Sequence, residues 1–258
     1  MKTAFITGAT SGIGLAMAQQ LSQQGYALII HGRDARKLSE LQKTLPNVCH
    51  TIVADLAELA QQDRLLAELA QYPGQIDVAI NNAGFGLYGK CLELSATTVD
   101  AMLAVNQTAV LKLSRYFAWR MSQQGGGHIL NVASTAAYQP QPFMAAYAAS
   151  KAFVAHFTEA FAMEMKPLGV HLMVLSPGRT DTGFFKLNGR DLARNGSGTF
   201  AAKHRISPAT VARIGLRALF KGQLREIPTF ENKLYVFLNR LLPKTCVLHL
   251  YNKAMHNI

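Results

Sequence analysis

Short apolar runs alternate with longer helix-period segments along the whole chain, and no other feature constrains its fold as strongly. Strands fit Thr3–Thr7, Ala27–His31, Thr51–Ala54, Val78–Asn81, His128–Val132 and Val170–Leu175, with a shorter one at Leu224–Pro228. Helices fit between them: after Gly12, from Asp34, from Leu59, from Thr97 to about Gln123, and from Tyr147 to about Met165. Strands alternating with helices in this way are the signature of repeated βαβ units and a parallel sheet, whose two faces are covered by helices. The expected class is α/β, a doubly wound parallel sheet of about seven strands. A length of 258 residues suits one such domain, and no linker, composition break or internal repeat divides it. Gly125-Gly126-Gly127 is a tight connector, because a strand pattern starts at once. The loosest stretch is Asn188–Gly198, and a substrate flap is expected over 183–207.

A hydrophobic content of 49% with 16% charged residues excludes broad disorder. No window approaches the roughly 18 uncharged apolar residues of a spanning helix. Met1-Lys2-Thr3 runs directly into a strand, with no secretory pattern. Cys49, Cys91 and Cys246 lie far apart, with neither metal-ligand spacing nor an even count. A reducing cytoplasm and no metal are therefore expected. Charge is concentrated: ten Lys/Arg against two Asp/Glu between 201 and 258 carry eight of the eleven net positive charges. A solvated surface, anionic lipid or an acidic partner would each account for this. No nucleic-acid motif accompanies it, so nucleic acid is not an expected partner. The run from Asn232 to Leu242, then Pro243 and a second apolar-basic run to Ala254, predicts two amphipathic helices in a basic extension over 230–258. They could pack on the body, on a second subunit, or on an anionic membrane surface.

Directly after the first strand comes Thr7-Gly8-Ala9-Thr10-Ser11-Gly12-Ile13-Gly14, then an apolar helix. Glycines permit a turn that no side chain allows and a close backbone approach to a ligand. The helix that follows presents free N–H groups and the positive end of its dipole, which suits a pyrophosphate. The spacing is Gly-x-x-x-Gly-x-Gly rather than the commoner Gly-x-Gly-x-x-Gly.

Tyr147 is the only tyrosine followed four residues later by lysine, Lys151. On a helix the phenol and ammonium share a face, one turn apart. A positive charge beside a phenol favours the phenolate, so its pKa is expected below the usual value of about 10. Such a tyrosine can exchange a proton with a carbonyl or alcohol oxygen near neutral pH.

These residues, taken in order, resemble the short-chain dehydrogenase/reductase family over about Lys2 to Thr182. The glycine motif matches Thr7–Gly14, and the Asn-Asn-Ala-Gly motif matches Asn81-Asn82-Ala83-Gly84. The helix-borne Asn matches Asn106, the catalytic Ser matches Ser134, and the Tyr and Lys match Tyr147 and Lys151. The Pro-Gly turn matches Pro177-Gly178, followed by Thr180 and Thr182. The resemblance implies a Rossmann-type single catalytic domain over 1–258, a nicotinamide cofactor, and a homodimer or homotetramer.

The resemblance further implies that Tyr147 is the general acid in reduction and the base in oxidation. Lys151 would lower its pKa and bond the nicotinamide ribose, Ser134 would position the substrate oxygen, and Asn106 would hold a relaying water. Standing alone, Asn106 reads as a buried amide satisfied by backbone, and Ser134 as a capping serine. Gly8, Thr10, Ser11, Gly12, Ile13, Gly14, Asn82, Ala83, Gly84, Pro177, Gly178, Thr180 and Thr182 would line the cofactor, with Asp55 and Leu56 at the adenine. The second strand ends His31-Gly32-Arg33-Asp34. NAD-preferring relatives carry an acid where Gly32 stands, and the Arg33 guanidinium suits the extra phosphate of NADP(H), which is expected over NAD(H). Asp34 alternatively just caps the next helix. Thr10-Ser11 departs from the basic residue that many NADP-preferring relatives carry in the turn.

Tyr138, Phe143, Met144, Phe184 and Phe185 fall on the substrate side, so the expected substrate is a carbonyl or alcohol on a lipophilic body. A 3-oxoacyl-thioester reductase is a close variant. A non-catalytic cofactor-binding scaffold on the same fold is the other function class.

Overall fold

A computed structural model describes residues 1–182 and 205–256. Seven strands form one sheet, paired in parallel throughout, in the order β3-β2-β1-β4-β5-β6-β7. They are β1 Thr3–Ile6, β2 Ala27–Gly32, β3 Val48–Val53, β4 Val78–Asn81, β5 Gly127–Val132, β6 Val170–Leu175 and β7 Arg225–Glu226. Every residue of β1, β2 and β4 is buried, which is why they read as continuous apolar runs. Side chains still alternate: Ala4 and Ile6 enter one core with Leu28, Ile30 and Leu130, whereas Phe5 enters the other with Ile29, Ala79 and Ile129.

Helices α1 Gly12–Gln23, α2 Ala35–Thr44 and α7 Pro208–Phe220 cover the first core; α3 Leu59–Gln71, α5 Val110–Gln123 and α6 Ala145–Met165 cover the second. Strand order reverses between β1 and β4, so the ends of these two strands open the crevice where ligands bind on sheets of this kind. Asp34 caps α2, its Oδ1 accepting from the amides of Arg36 at 3.0 Å and Lys37 at 3.2 Å.

Most boundaries shift by a residue or two from the sequence reading, and three elements differ in ways that have a physical reason or bear on the site. β3 begins at Val48 rather than Thr51, because an edge strand has a neighbour on one side only and tolerates the polar Cys49 and His50. β7 is reduced to two residues that pair with Val174 and Leu175. The long helix expected from Thr97 is α4 Ala96–Leu103, a π-helical segment Ala104–Ala109 and then α5. That wider turn carries Asn106, in keeping with the concentration of such segments at functional sites.

The expected flap falls mostly on 183–204, outside the described residues, as do Phe184 and Phe185. In the part of it that is described, Ile206 is bridged to Thr180. The extension does form two helices split at Pro243, α8 Phe230–Leu241 and α9 Lys244–His256.

Candidate active site

At the end of β1, Thr7 ties the two sides of the crevice together. Its Oγ1 accepts from the amides of Asn82 at 2.9 Å and Ala83 at 3.0 Å, while Asn82 Nδ2 donates back to Thr7 O at 3.0 Å and Gly8 O at 3.3 Å. The Asn81–Gly84 loop thereby clamps the glycine turn. Gly8 has φ +64°, and a Cβ on Gly14 would lie 2.3 Å from Gly8 O and 2.4 Å from Asn82 Nδ2. Only glycine lets the turn close this tightly.

Beneath the turn lies His31, a site feature that sequence reasoning passed over. A carbonyl can only accept, so His31 Nε2 carries the proton given to Ala54 O at 3.0 Å, leaving Nδ1 to accept from Gly8 N at 3.4 Å. Burial favours this neutral ring and lowers its pKa to about 4.

These residues fit a dinucleotide. The α1 N-terminus opens at Ser11, whose side chain makes no cap bond, and the first turn of α1 holds no acidic residue, leaving its free N–H groups to an anion. Thr182 Cγ2 would lie 3.0 Å from a Cβ on Gly12, so the segment after β6 reaches the glycine turn. Pro177 O accepts from Thr135 N at 3.0 Å, and Thr180 Oγ1 donates to Gly178 O at 3.1 Å. At the far end of β2 a Cβ on Gly32 would meet Thr10 Cγ2 at 2.9 Å. Arg33 is exposed, its guanidinium 4.0 Å from Asp55 Oδ2, while Asp55 Oδ1 accepts from Ala57 N at 2.9 Å. Leu56 is buried beside them.

Tyr147 and Lys151 lie one turn apart on α6, both buried. Ser134 follows β5 and does two things: its Oγ accepts from Ala136 N at 3.1 Å, capping a short 3-10 turn, and it hydrogen-bonds the Tyr147 phenol. Lys151 Nζ donates to Val132 O at 3.0 Å. Asn106 is enclosed: Oδ1 accepts from Phe85 N at 3.1 Å, and Nδ2 donates to Phe85 O at 2.9 Å and Ser150 Oγ at 3.1 Å. Ser150 Oγ donates to Tyr147 O at 2.7 Å, so Asn106 is joined to the turn of α6 that carries the phenol. Gly84 stands between, since a Cβ there would lie 3.0 Å from Asn106 Oδ1 and 3.2 Å from Lys151 Nζ. The plainer readings of Asn106 and Ser134 are both visible: the amide is bonded to the Phe85 backbone and the serine caps a turn.

The expected pKa direction at Tyr147 is not what the protein alone produces. Burial pushes the phenol up to about 12, only partly opposed by Ser134, and the same burial pulls Lys151 down to about 8. Desolvation is the larger cause at the phenol, and the lysine Nζ is bonded to Val132 O.

A buried polar network unnoticed in the sequence holds α6 in place. Asn81 Nδ2 donates to Asn131 Oδ1 at 2.8 Å and to Ser114 Oγ at 3.1 Å, and Asn131 Nδ2 donates to Thr158 Oγ1 at 2.9 Å. A signal was present: polar residues standing inside strands and helices that otherwise read as apolar.

On the substrate side, Met144 and Tyr147 share an apolar cluster with Leu87 and Met102, and the rings of Phe143 and Tyr88 stack at 5.9 Å. Tyr138 Oη pairs with Ser176 Oγ at 3.2 Å. Helix α8 closes this side. Its Asn232 amide occupies the space against Gly178, 2.4 Å from where a Cβ would sit, and Asn239 Nδ2 donates to Gln139 Oε1 at 3.2 Å.

A parallel sheet with a glycine turn at its switch point and a buried Tyr–Lys pair beside it defines a dinucleotide-dependent oxidoreductase. Residues 2–193 match the family model described as short chain dehydrogenase, and the chain belongs to that family. An uncharacterized oxidoreductase of Staphylococcus epidermidis is 33% identical over 181 residues, covering 70% of this chain and 79% of the relative. A short-chain dehydrogenase from Sphingobium yanoikuyae, solved in complex with NADPH, superposes with a TM-score of 0.82 at 25% identity, covering 93% of each chain. A short-chain dehydrogenase/reductase from Burkholderia phymatum, solved with NAD, has a TM-score of 0.80 at 26% identity, again covering 93% of each chain. The protein is an NAD(P)H-dependent oxidoreductase of the short-chain dehydrogenase type. Its neighbours hold both forms of the cofactor.

Proposed function

We propose that the chain is an NADP(H)-dependent oxidoreductase that interconverts a ketone or aldehyde with the matching alcohol on a lipophilic molecule. The observation that carries this reading is the buried Tyr147 phenol, hydrogen-bonded to Ser134, with Lys151 one turn along α6. Gly8 and Thr10 to Gly14 would hold the pyrophosphate, Asp55 and Leu56 the adenine. Asn82 to Gly84, Pro177, Gly178, Thr180 and Thr182 would hold the nicotinamide half. When bound, the nicotinamide supplies or takes up the hydride.

In this reading Ser134 Oγ fixes the substrate oxygen against Tyr147 Oη, and Tyr147 gives up its proton in reduction and takes one in oxidation. Lys151 would hold the nicotinamide ribose, and its charge, if brought near the phenolate, would ease loss of a proton whose pKa burial raises to about 12. Asn106 Oδ1, which accepts from Phe85 N, would also hold a water that returns protons to Lys151. Its other bonds set the height of the Tyr147 turn.

NADP(H) is favoured by the exposed Arg33 guanidinium and the missing acid at Gly32. The lipophilic substrate is favoured by Met144, Phe143 and Tyr88 beside the phenol. Exposed Trp119 on α5 with Phe153 and Met163 on α6 support a homodimer or homotetramer. Three free, exposed cysteines support a reducing cytoplasm. We read residues 1–258 as one catalytic domain with its C-terminal extension.

The test is NADPH oxidation across aldehydes, ketones, oxosteroids and 3-oxoacyl-thioesters. On the substrate found, Tyr147→Phe should lower kcat by about 100-fold or more while NADPH affinity stays within a few-fold. Wild-type turnover in that variant would refute the mechanism.

A further inference from the structure

Helix α8 has its apolar stripe on the wrong side for a helix that packs only on its own protein. The residues that face the body are Asn232, Tyr235, Val236 and Asn239, at the i, i+3, i+4, i+7 spacing of one helix face. A second stripe, Phe230, Leu234, Phe237, Leu238 and Leu241, repeats at i, i+4, i+7, i+8 and i+11 and faces solvent. Phe230 is 76% exposed, Phe237 56% and Leu241 64%. Leu242 and, on α9, Leu248 and Leu250 continue the exposed apolar surface beyond Pro243.

Cations accompany this stripe. Lys233, Arg240, Lys244 and Lys253 are exposed on the two helices, and Glu231 is the only carboxylate in either. Lys233 is paired with Glu226 at 2.8 Å, whereas Arg240, Lys244 and Lys253 have no ion-pair partner among the described residues. Bulky apolar residues on one face with cations around them suit a helix lying in the headgroup boundary of a bilayer. An acidic protein surface would match the cations but not five large apolar side chains. No helix among the described residues is long and apolar enough to cross a membrane, so the contact is with the surface.

We propose that α8 and α9 are a peripheral docking surface for an anionic lipid bilayer, with Phe230, Leu234, Phe237, Leu238 and Leu241 inserted and Arg240, Lys244 and Lys253 against the headgroups. The opposite face of α8 touches Gly178 and Gln139, next to the Ser134–Tyr147 site. A lipophilic carbonyl would therefore reach the site from the bilayer side. This last step rests on the oxidoreductase reading; the docking itself does not.

Co-sedimentation of the full chain with vesicles tests it. The wild type should pellet with vesicles of equal parts phosphatidylglycerol and phosphatidylcholine, far less with phosphatidylcholine alone, and less as salt is raised. Phe237→Ser combined with Leu241→Ser should lower partitioning at least tenfold, and Lys244→Glu combined with Lys253→Glu should do so on anionic vesicles. Melting temperature and circular dichroism check that each variant is folded, and the second variant serves if the first is not. Absence of wild-type binding, or equal binding by both variants, would overturn the proposal. So would a Phe237→Ser/Leu241→Ser variant that falls apart into smaller assemblies in vesicle-free solution yet partitions unchanged, since the stripe would then cover a second copy. Neither readout uses turnover, so a failed docking experiment leaves the oxidoreductase reading standing, and the converse holds.

Discussion

Lys151 Nζ donates to the carbonyl oxygen of Val132 at 3.0 Å, and among the described residues that is the one hydrogen bond of the buried ammonium. Burial lowers its pKa to about 8, so at neutral pH the folded state keeps a charge that water would hold more favourably. Between about pH 8 and 10.5 the unfolded chain binds more protons at this site than the folded one, and stability should rise with pH across that window. Lys151→Met should therefore stabilise the fold near pH 7 by about 2 kcal/mol while abolishing turnover, with the gain fading toward pH 10. Thermal melts at pH 7 and pH 10 check this; a variant that melts lower at pH 7 would show that the lysine is held at no cost.

His31 has the same physics under the glycine turn. Its pKa of about 4 lies below the unfolded value of about 6.5, so its contribution is complete above the unfolded value and is lost as pH falls through about 6.5 to 4. By pH 4 the loss from this one ring should approach about 3 kcal/mol. Urea unfolding from pH 7 to 4 should show a shallower decline for His31→Gln than for the wild type. Parallel curves would mean that the ring is protonated in the fold.

Arg33 stands exposed at the end of β2, next to Asp55 and beside a glycine where an acid would reject a phosphate. Arg33→Ala should weaken NADPH by about 10- to 100-fold and leave NADH within about threefold. Fluorescence titration of both cofactors decides it, and equal losses would assign Arg33 to a general surface role.

Gly14→Ala places a methyl 2.3 Å from the Gly8 carbonyl oxygen, which cannot swing aside as a side chain would. The turn must open, breaking the Asn82 bonds to Thr7 and Gly8. Loss of detectable dinucleotide binding and a destabilisation of about 1 to 3 kcal/mol are expected, read by titration and melting. Retained cofactor affinity would show that the phosphates sit elsewhere.

The order of elements, the glycine turn and the Tyr147–Lys151 spacing were legible in the sequence because each rests on local physics. A strand covered on both faces must be apolar, a tight turn must lack Cβ atoms, and residues four apart on a helix share a face. The Asp34 cap was legible for the same reason. What tertiary structure alone decided depends on residues far apart in the chain. Thr7 reaches across 75 positions to Asn82, and Asn106 closes on Phe85 and Ser150. The direction of the Tyr147 shift belongs here too, because spacing shows which charge is near but not how much water has been removed. The same holds for α8: hydrophobic period revealed an amphipathic helix, and only packing showed that the stripe of Asn232, Tyr235, Val236 and Asn239 faces the protein while the stripe of Phe230, Leu234, Phe237, Leu238 and Leu241 faces solvent.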